Sequence, residues 1–296
     1  MLVDTHTHFY DEWLLPDAEA AIQRALEAGV GKMIQADIDS TERPSMWEIG
    51  RRHPGVLFQM LGLYPGSVTA DNWQEELDAV YHLASSTSAD GGTMPFSGAD
   101  KKADAPEKST VPPPASLSEA THNPKAPAFV AVGEIGLDYH EGKEFVAQQK
   151  EVLRLQLELA AKLDLPVNFH LRDAWEDFFT VLSDARHLHL RGNLHCFSGS
   201  FEIYERARCY GDFAVGIGGV VTFKNSHLAE AVARIPMEHL LLETDAPYLA
   251  PVPYRGKRNE SAYLPLVAAK VAEIKGLPVE EVAAITTRNA ETLFNL

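Results

Sequence analysis

The chain has 296 residues, 45% of them apolar and 23% charged, and its 26 Lys and Arg against 42 Asp and Glu leave a formal charge of −16. That apolar share can build a core, which excludes wholesale disorder, and no window approaches 18 consecutive apolar residues, which excludes a membrane-spanning helix. The negative balance argues against a broad nucleic-acid or membrane-binding face but leaves room for a small cationic pocket.

The opening, MLVDTHTHFY, runs straight into a strand pattern over 2–8 with no basic or apolar leader before it, so no cleaved secretory signal is expected. Further short β-branched or apolar runs follow at 31–37, 56–63, 128–138, 166–172, 191–199, 212–219 and 239–247. Amphipathic helical stretches separate them. Between Phe145 and Leu163, for example, Val146, Val152, Leu157 and Ala160 recur at helical spacing. Gly29 is placed to end the helix formed by AIQRALEA. Between strands three and four, residues 85–127 hold seven prolines and eleven Ser or Thr. Such a stretch cannot bury enough surface to offset its ordering entropy, and it reads as a mobile, disorder-like surface insertion on the barrel's N-terminal side. Without it about 250 residues remain, the usual length of one (β/α)8 barrel. Eight strands, each followed by a helix, predict a single TIM-type α/β barrel over 1–296, with an open doubly wound sheet as the alternative. The two cysteines, Cys196 and Cys209, are too few for a disulfide framework and suit a reducing, cytoplasmic setting.

In a barrel of this kind functional groups stand at the C-terminal strand ends. Strand one ends in Asp4-Thr5-His6-Thr7-His8, where a period of two puts both imidazoles on one face. Strand four ends with Glu134 between Gly133 and Gly136, strand five at His170, strand six at His195 and strand eight at Asp245. Taken singly, each has an ordinary structural reading: an exposed strand end, a surface carboxylate, a hydrogen-bonded core histidine, a helix cap. Four imidazoles and two carboxylates at equivalent positions of five strands instead describe one polar crater. Its donors suit two divalent ions, with a carboxylate to bridge them.

The segments VDTHTH, GEIGLDYH, NFHLRDAW, NLHCFSGS and LLETDAPYLAPVPYRGKRNES resemble the TatD-type metal-dependent deoxyribonucleases of the amidohydrolase-like barrels, across nearly the whole chain outside 85–127. The resemblance implies one ion on His6, His8 and Asp245, a second on His170 and His195, and Glu134 bridging them. It also implies exonucleolytic phosphodiester hydrolysis with DNA as substrate, through a strand end. Asp245 would orient water and take its proton, and Glu134 would serve beside it. By donor softness the ions would be Zn or Mn, although Mg supports much of the family. One departure stands out. Where the family shows Gly-x-His-Pro-His after strand three, this chain has Gly62-Leu63-Tyr64-Pro65-Gly66. Tyr64 either supplies a hydroxyl to the pocket or packs against its wall. Arg172, Lys224 and Arg258 are candidates to hold a phosphate oxygen. Asp4 is expected to accept a hydrogen bond from a ligand imidazole, and Cys196 to face away from the crater as a small buried hydrophobe. Gly216-Ile217-Gly218-Gly219 lacks phosphate-loop spacing and reads as a close-packing site. Two other functions remain: an esterase or amidase acting on a small metabolite or an aminoacyl-tRNA, which Tyr64 keeps open, and a non-catalytic metal-binding scaffold. Oligomeric state is not legible.

Overall fold

In the computed structural model, which describes residues 1–87 and 128–296, eight parallel strands pair in sequence order to form one sheet. They are β1 (Leu2–Thr7), β2 (Val30–Gln35), β3 (Leu57–Leu61), β4 (Phe129–Asp138), β5 (Val167–Arg172), β6 (Arg191–Leu194), β7 (Asp212–Ile217) and β8 (Leu240–Leu242). The helices between them are α1 (Ala18–Glu27), α2 (Arg43–Arg52), α3 (Trp73–Thr87), α4 (Val146–Leu163), α5 (Trp175–Asp184), α6 (Phe201–Arg208) and α7 (Leu228–Arg234). Two more, α8 (Leu264–Lys275) and α9 (Val279–Phe294), follow β8. The apolar stripe of each helix buries against the strands; Phe178 and Phe179 of α5, for instance, are almost fully buried with Phe169 of β5 and Phe213 of β7.

Closure distinguishes a barrel from the open alternative, and it is made at the C-terminal mouth. Thr7 bridges Ala246 in parallel, His8 N–H donates to Ala246 O at 2.8 Å and Asp245 N–H donates to His6 O at 2.9 Å. Asp4 completes the seam: its carboxylate accepts from the backbone N–H of Thr244 at 2.9 Å and from the Thr244 hydroxyl at 2.6 Å. Ala290 and Phe294 of α9 pack with Val3, Ile34, Met60, Ala131 and Leu241, one apolar residue from each of five strands.

The first three residues of the expected insertion are helical. Residues 85–87 finish α3, where the Ser85 hydroxyl donates to Tyr81 O at 2.8 Å and so joins the helix rather than leaving it. Residues 88–127 lie outside the described residues, and so does the expectation about which side of the barrel they occupy. Among the described residues no helix is long and apolar enough to cross a membrane.

Candidate metal centre

Two strand irregularities aim the key side chains. The β1–β2 register shifts between Asp4 and Thr7, around His6, and the β4–β5 register shifts between Val132 and Ile135, around Glu134. Extra residues of this kind re-aim a side chain without ending the strand. Beyond the bulge, Gly136 pairs with His170, and a Cβ at Gly136 would run into the His170 carbonyl. The glycine therefore lets β4 and β5 approach closely where both carry site residues. At the mouth, Cys196 (φ 45°) and Asp245 (φ 57°) adopt left-handed conformations that interrupt strand alternation.

These elements bring all six expected ligands together. The His6 and His195 rings stack with centroids 3.7 Å apart. Glu134 lies between two imidazole pairs. Its Oε2 is 3.2 Å from His6 Nε2 and 3.8 Å from His8 Nε2, while its Oε1 is 2.7 Å from His170 Nδ1 and 3.1 Å from His195 Nε2. Asp245 Oδ1 closes the first group, 3.5 Å from His8 Nε2 and 3.8 Å from His6 Nε2.

The far nitrogens of His6, His8 and His170 are hydrogen-bonded elsewhere, which assigns their tautomers. His6 Nδ1 is 2.9 Å from Asn168 Oδ1, an acceptor, so it carries the proton. The Tyr10 hydroxyl donates to Ala36 O at 2.5 Å; its oxygen therefore accepts from His8 Nδ1 at 2.9 Å. His170 Nε2 donates to Asp138 Oδ2 at 2.9 Å, and His195 Nδ1 faces Glu243 Oε1 at 3.4 Å. Each histidine consequently turns its other nitrogen inward toward Glu134 and its neighbours, with His6 Nε2 and His8 Nε2 only 3.1 Å apart. Two imidazole nitrogens at that distance, with carboxylate oxygens beside them, form a donor set that a cation can share. The donor set therefore fits borderline divalent ions, and three overlapping clusters satisfy metal-ligand spacing: His6, His8 and Glu134; Glu134, His170 and His195; His6, His195 and Asp245.

Charge within the cluster follows burial and neighbours. Burial alone would raise Glu134, but His195 and His6 outweigh it and hold the carboxyl well below the usual range. For His195 burial pulls downward and the facing Glu134 carries the net shift well upward. Asp138 is held down at about 2: burial opposes ionisation, yet the bonds from His170 and from the backbone N–H groups of Glu141 and His140 prevail.

A cavity of about 590 Å³ opens over these groups, walled by Tyr64, Arg172, Cys196, Tyr248 and Leu249 among others. Tyr64 lines the cavity and packs against its wall. Its ring stands edge-on to His170 at 4.9 Å, and its hydroxyl, kept protonated by burial and by Glu134, donates to Asp138 Oδ2 at 3.4 Å. Arg172 lines the cavity and pairs with Glu141 at 3.0 Å. Lys224 is exposed on the loop after β7, outside the lining. Arg258 is also outside it and donates instead to Trp13 O at 3.0 Å and Asp17 Oδ2 at 2.6 Å. Two further expectations are corrected. Asp4 does not receive an imidazole N–H; besides the seam, its Oδ1 accepts from the backbone N–H of His6 at 3.3 Å. Cys196 lines the cavity rather than facing away, because its positive φ breaks the alternation that placed it opposite His195.

Sequence reasoning missed the orienting partners Tyr10, Asn168, Asp138 and Glu243. A signal was present for one of them, since Asn168 stands two residues before His170 on the same phase of β5. Glu243 does more than orient His195: it also accepts from Cys196 N–H and from Asn193 Nδ2 at 3.3 Å. A Cβ at Gly216 would collide with its carboxylate, so that glycine is a close-packing site as expected.

The family model for TatD related DNase matches residues 3–295. The chain belongs to this family. It is 36% identical over 297 residues to YabD of Bacillus subtilis (strain 168), an uncharacterized metal-dependent hydrolase, covering 100% of both chains. It is 32% identical over 286 residues to the 3'-5' ssDNA/RNA exonuclease TatD of Erwinia tasmaniensis, covering 95% of this chain and 94% of that one. Among solved structures, the TatD homologue YjjV of Escherichia coli K12 superposes with a TM-score of 0.77 at 28% identity, covering 100% of this chain and 98% of that one. As a TatD-family chain the protein is a metal-dependent hydrolase, and the converging imidazoles are candidate donors for its metal.

Proposed function

We propose that the chain is a two-metal phosphodiesterase that removes nucleotides from the ends of single-stranded DNA. One observation carries this reading: the two oxygens of Glu134 are divided between the His6–His8 pair and the His170–His195 pair. A carboxylate placed in this way bridges two cations. His6, His8 and Asp245 would hold one and His170 and His195 the other. Divalent ions held there supply Lewis acidity toward the phosphoryl group and make water a usable nucleophile near neutral pH.

The protein's own groups do the rest. Asp245, whose side chain is 15% exposed at the cavity wall, orients water and accepts its proton. Two ions against the two carboxylates Glu134 and Asp245 leave the crater net positive within a protein of charge −16, which draws in a phosphodiester while keeping the general surface unattractive to long duplexes. Arg172 offers a fork for a non-bridging phosphate oxygen, and Tyr64 lines the same cavity with its hydroxyl turned to Asp138. The relative named as an exonuclease supports a nucleic-acid substrate. Free thiols at Cys196 and Cys209 suit a reducing cytoplasm.

The test is an activity matrix of Zn, Mn and Mg against single-stranded and duplex oligonucleotides, together with ester and lactone substrates. Metal-dependent release of mononucleotides is expected. Asp245→Asn should keep the fold and lose at least about 10²-fold in turnover, and His170→Ala should be inactive. Turnover confined to esters or lactones would move the assignment to a small-molecule hydrolase, the reading that Tyr64 favours. A His170→Ala protein as active as the wild type would overturn the site altogether.

A further inference from the structure

Exposed apolar surface gathers beside the metal centre. Trp13 is 57% exposed, Tyr248 43%, Leu249 41% and Val252 46%, and all four lie on the loops that follow β1 and β8. The Trp13 and Tyr248 rings meet across the two loops with centroids 6.0 Å apart, inclined at 51°. Tyr248 in turn stands 6.3 Å from His8. Solvent-facing rings this close to the chemistry are also held firmly. Asp11 Oδ1 accepts from Trp13 N–H at 2.8 Å, and its Oδ2 accepts from the Tyr248 hydroxyl at 2.6 Å. Arg258 braces the same loop through Trp13 O, which gives this arginine a positioning role outside the cavity.

Large aromatic faces left in water gain nothing for the fold, so a rigid pair of them calls for a ligand with a flat apolar face. The acidic neighbours Asp11 and Glu12 repel phosphate at this spot. What the loops offer is an uncharged π surface, next to a cluster built to receive the anion. We propose that Trp13 and Tyr248 form the stacking seat for the base of the terminal nucleotide of a single strand, whose phosphodiester then lies over His8 and Asp245. The proposal rests on the nuclease reading above and adds where the base goes. It predicts tolerance of base identity, since every base has a π face, and preference for unpaired ends, since only an unstacked base can occupy the seat.

The test compares a single-stranded oligodeoxynucleotide with the same oligonucleotide carrying an abasic residue at both ends. For the wild type, KM should be roughly tenfold or more lower with the base present, the scale of one aromatic–base stack. Trp13→Ala should remove that advantage, leaving the abasic substrate and kcat nearly unchanged, and Trp13→Phe should restore most of it. A loss equal on both substrates, or on neither, overturns the seat while leaving the nuclease standing. A binding arm uses Asp245→Asn protein supplied with divalent metal. If the wild type hydrolyses no DNA but Asp245→Asn protein still binds the intact oligonucleotide roughly tenfold better than the abasic one, and adding Trp13→Ala abolishes the difference, the seat stands and only the nuclease reading fails. Equal binding of the two oligonucleotides overturns the seat.

Discussion

Three of the candidate ligand imidazoles have their far nitrogen hydrogen-bonded, to an amide at His6, a phenol at His8 and a carboxylate at His170, while that of His195 faces the Glu243 carboxylate at 3.4 Å. Partners of this kind set tautomer, ring plane and basicity, and their loss typically costs about 10–100-fold in metal affinity or activity. Asn168 is the cleanest case, since it is fully buried and its Oδ1 fixes His6. Asn168→Ala is expected to weaken metal uptake by roughly that factor with an unchanged circular dichroism spectrum. Calorimetric titration with Zn or Mn measures it, and wild-type affinity would show that Asn168 only fills space. At this scale the ligands were legible in the sequence because His, Glu and Asp at strand ends are chemically conspicuous. The expected partner, Asp4, was misassigned because strand phase says which residues share a face and not which atom a ring nitrogen meets.

Among the elements, β4 carries the greatest constraint, since it presents Glu134 from a bulge and Asp138 from its last position while accommodating β5 at Gly136. Gly136→Ala should cost about 3 kcal/mol by driving a methyl group against the His170 carbonyl. It should also lower metal affinity, because His170 moves with its backbone; a thermal midpoint within a degree of wild type would contradict the close approach. A second constraint ties α1 to the loop after β8, where Asp17 accepts from Arg24 at 2.7 Å and Arg258 at 2.6 Å while Arg24 grips Glu260. Hydrogen bonds from Arg24 and then Arg258 hold the Asp17 carboxyl below its ordinary range. The folded pKa is depressed, so this stabilisation is complete above the unfolded pKa near ~3.9 and disappears as pH falls through the folded value. Asp17→Asn should therefore be somewhat less stable than wild type at neutral pH, the two denaturation midpoints converging in strong acid. The effect is small, because Asp17 is about one-third exposed. A gap that widens on acidification would reverse the assignment.

For the molecule as a whole, the metal centre sits where the barrel closes. His6 and His8 on one side and Asp245 and Ala246 on the other exchange the backbone hydrogen bonds that join β1 to β8. Ions bound there would clamp the first strand to the last, and their removal would leave Glu134 and the fully buried His6 facing one another without a shared cation. Ligand at about 1,000 times its Kd stabilises a fold by about 4 kcal/mol, or on the order of 10 °C in a chain of this size. Chelation should lower the thermal midpoint by that order and Zn or Mn should restore it, as scanning calorimetry would show; an indifferent midpoint would argue that no ion binds at the seam.

The sequence alone determined the barrel and its six conspicuous side chains, because strand periodicity, helix amphipathicity and residue chemistry are properties of neighbours along the chain. Its composition assigned 85–87 to an insertion, whereas these residues finish α3. Tertiary structure decided what depends on contacts between distant segments. It set Asp4 to the β1–β8 seam, turned Cys196 into the cavity through a positive φ, drew Arg258 away toward Trp13, and gave each imidazole its partner. A hydrogen bond between residues 162 or 237 positions apart has no local signature, since it exists only once the barrel has closed.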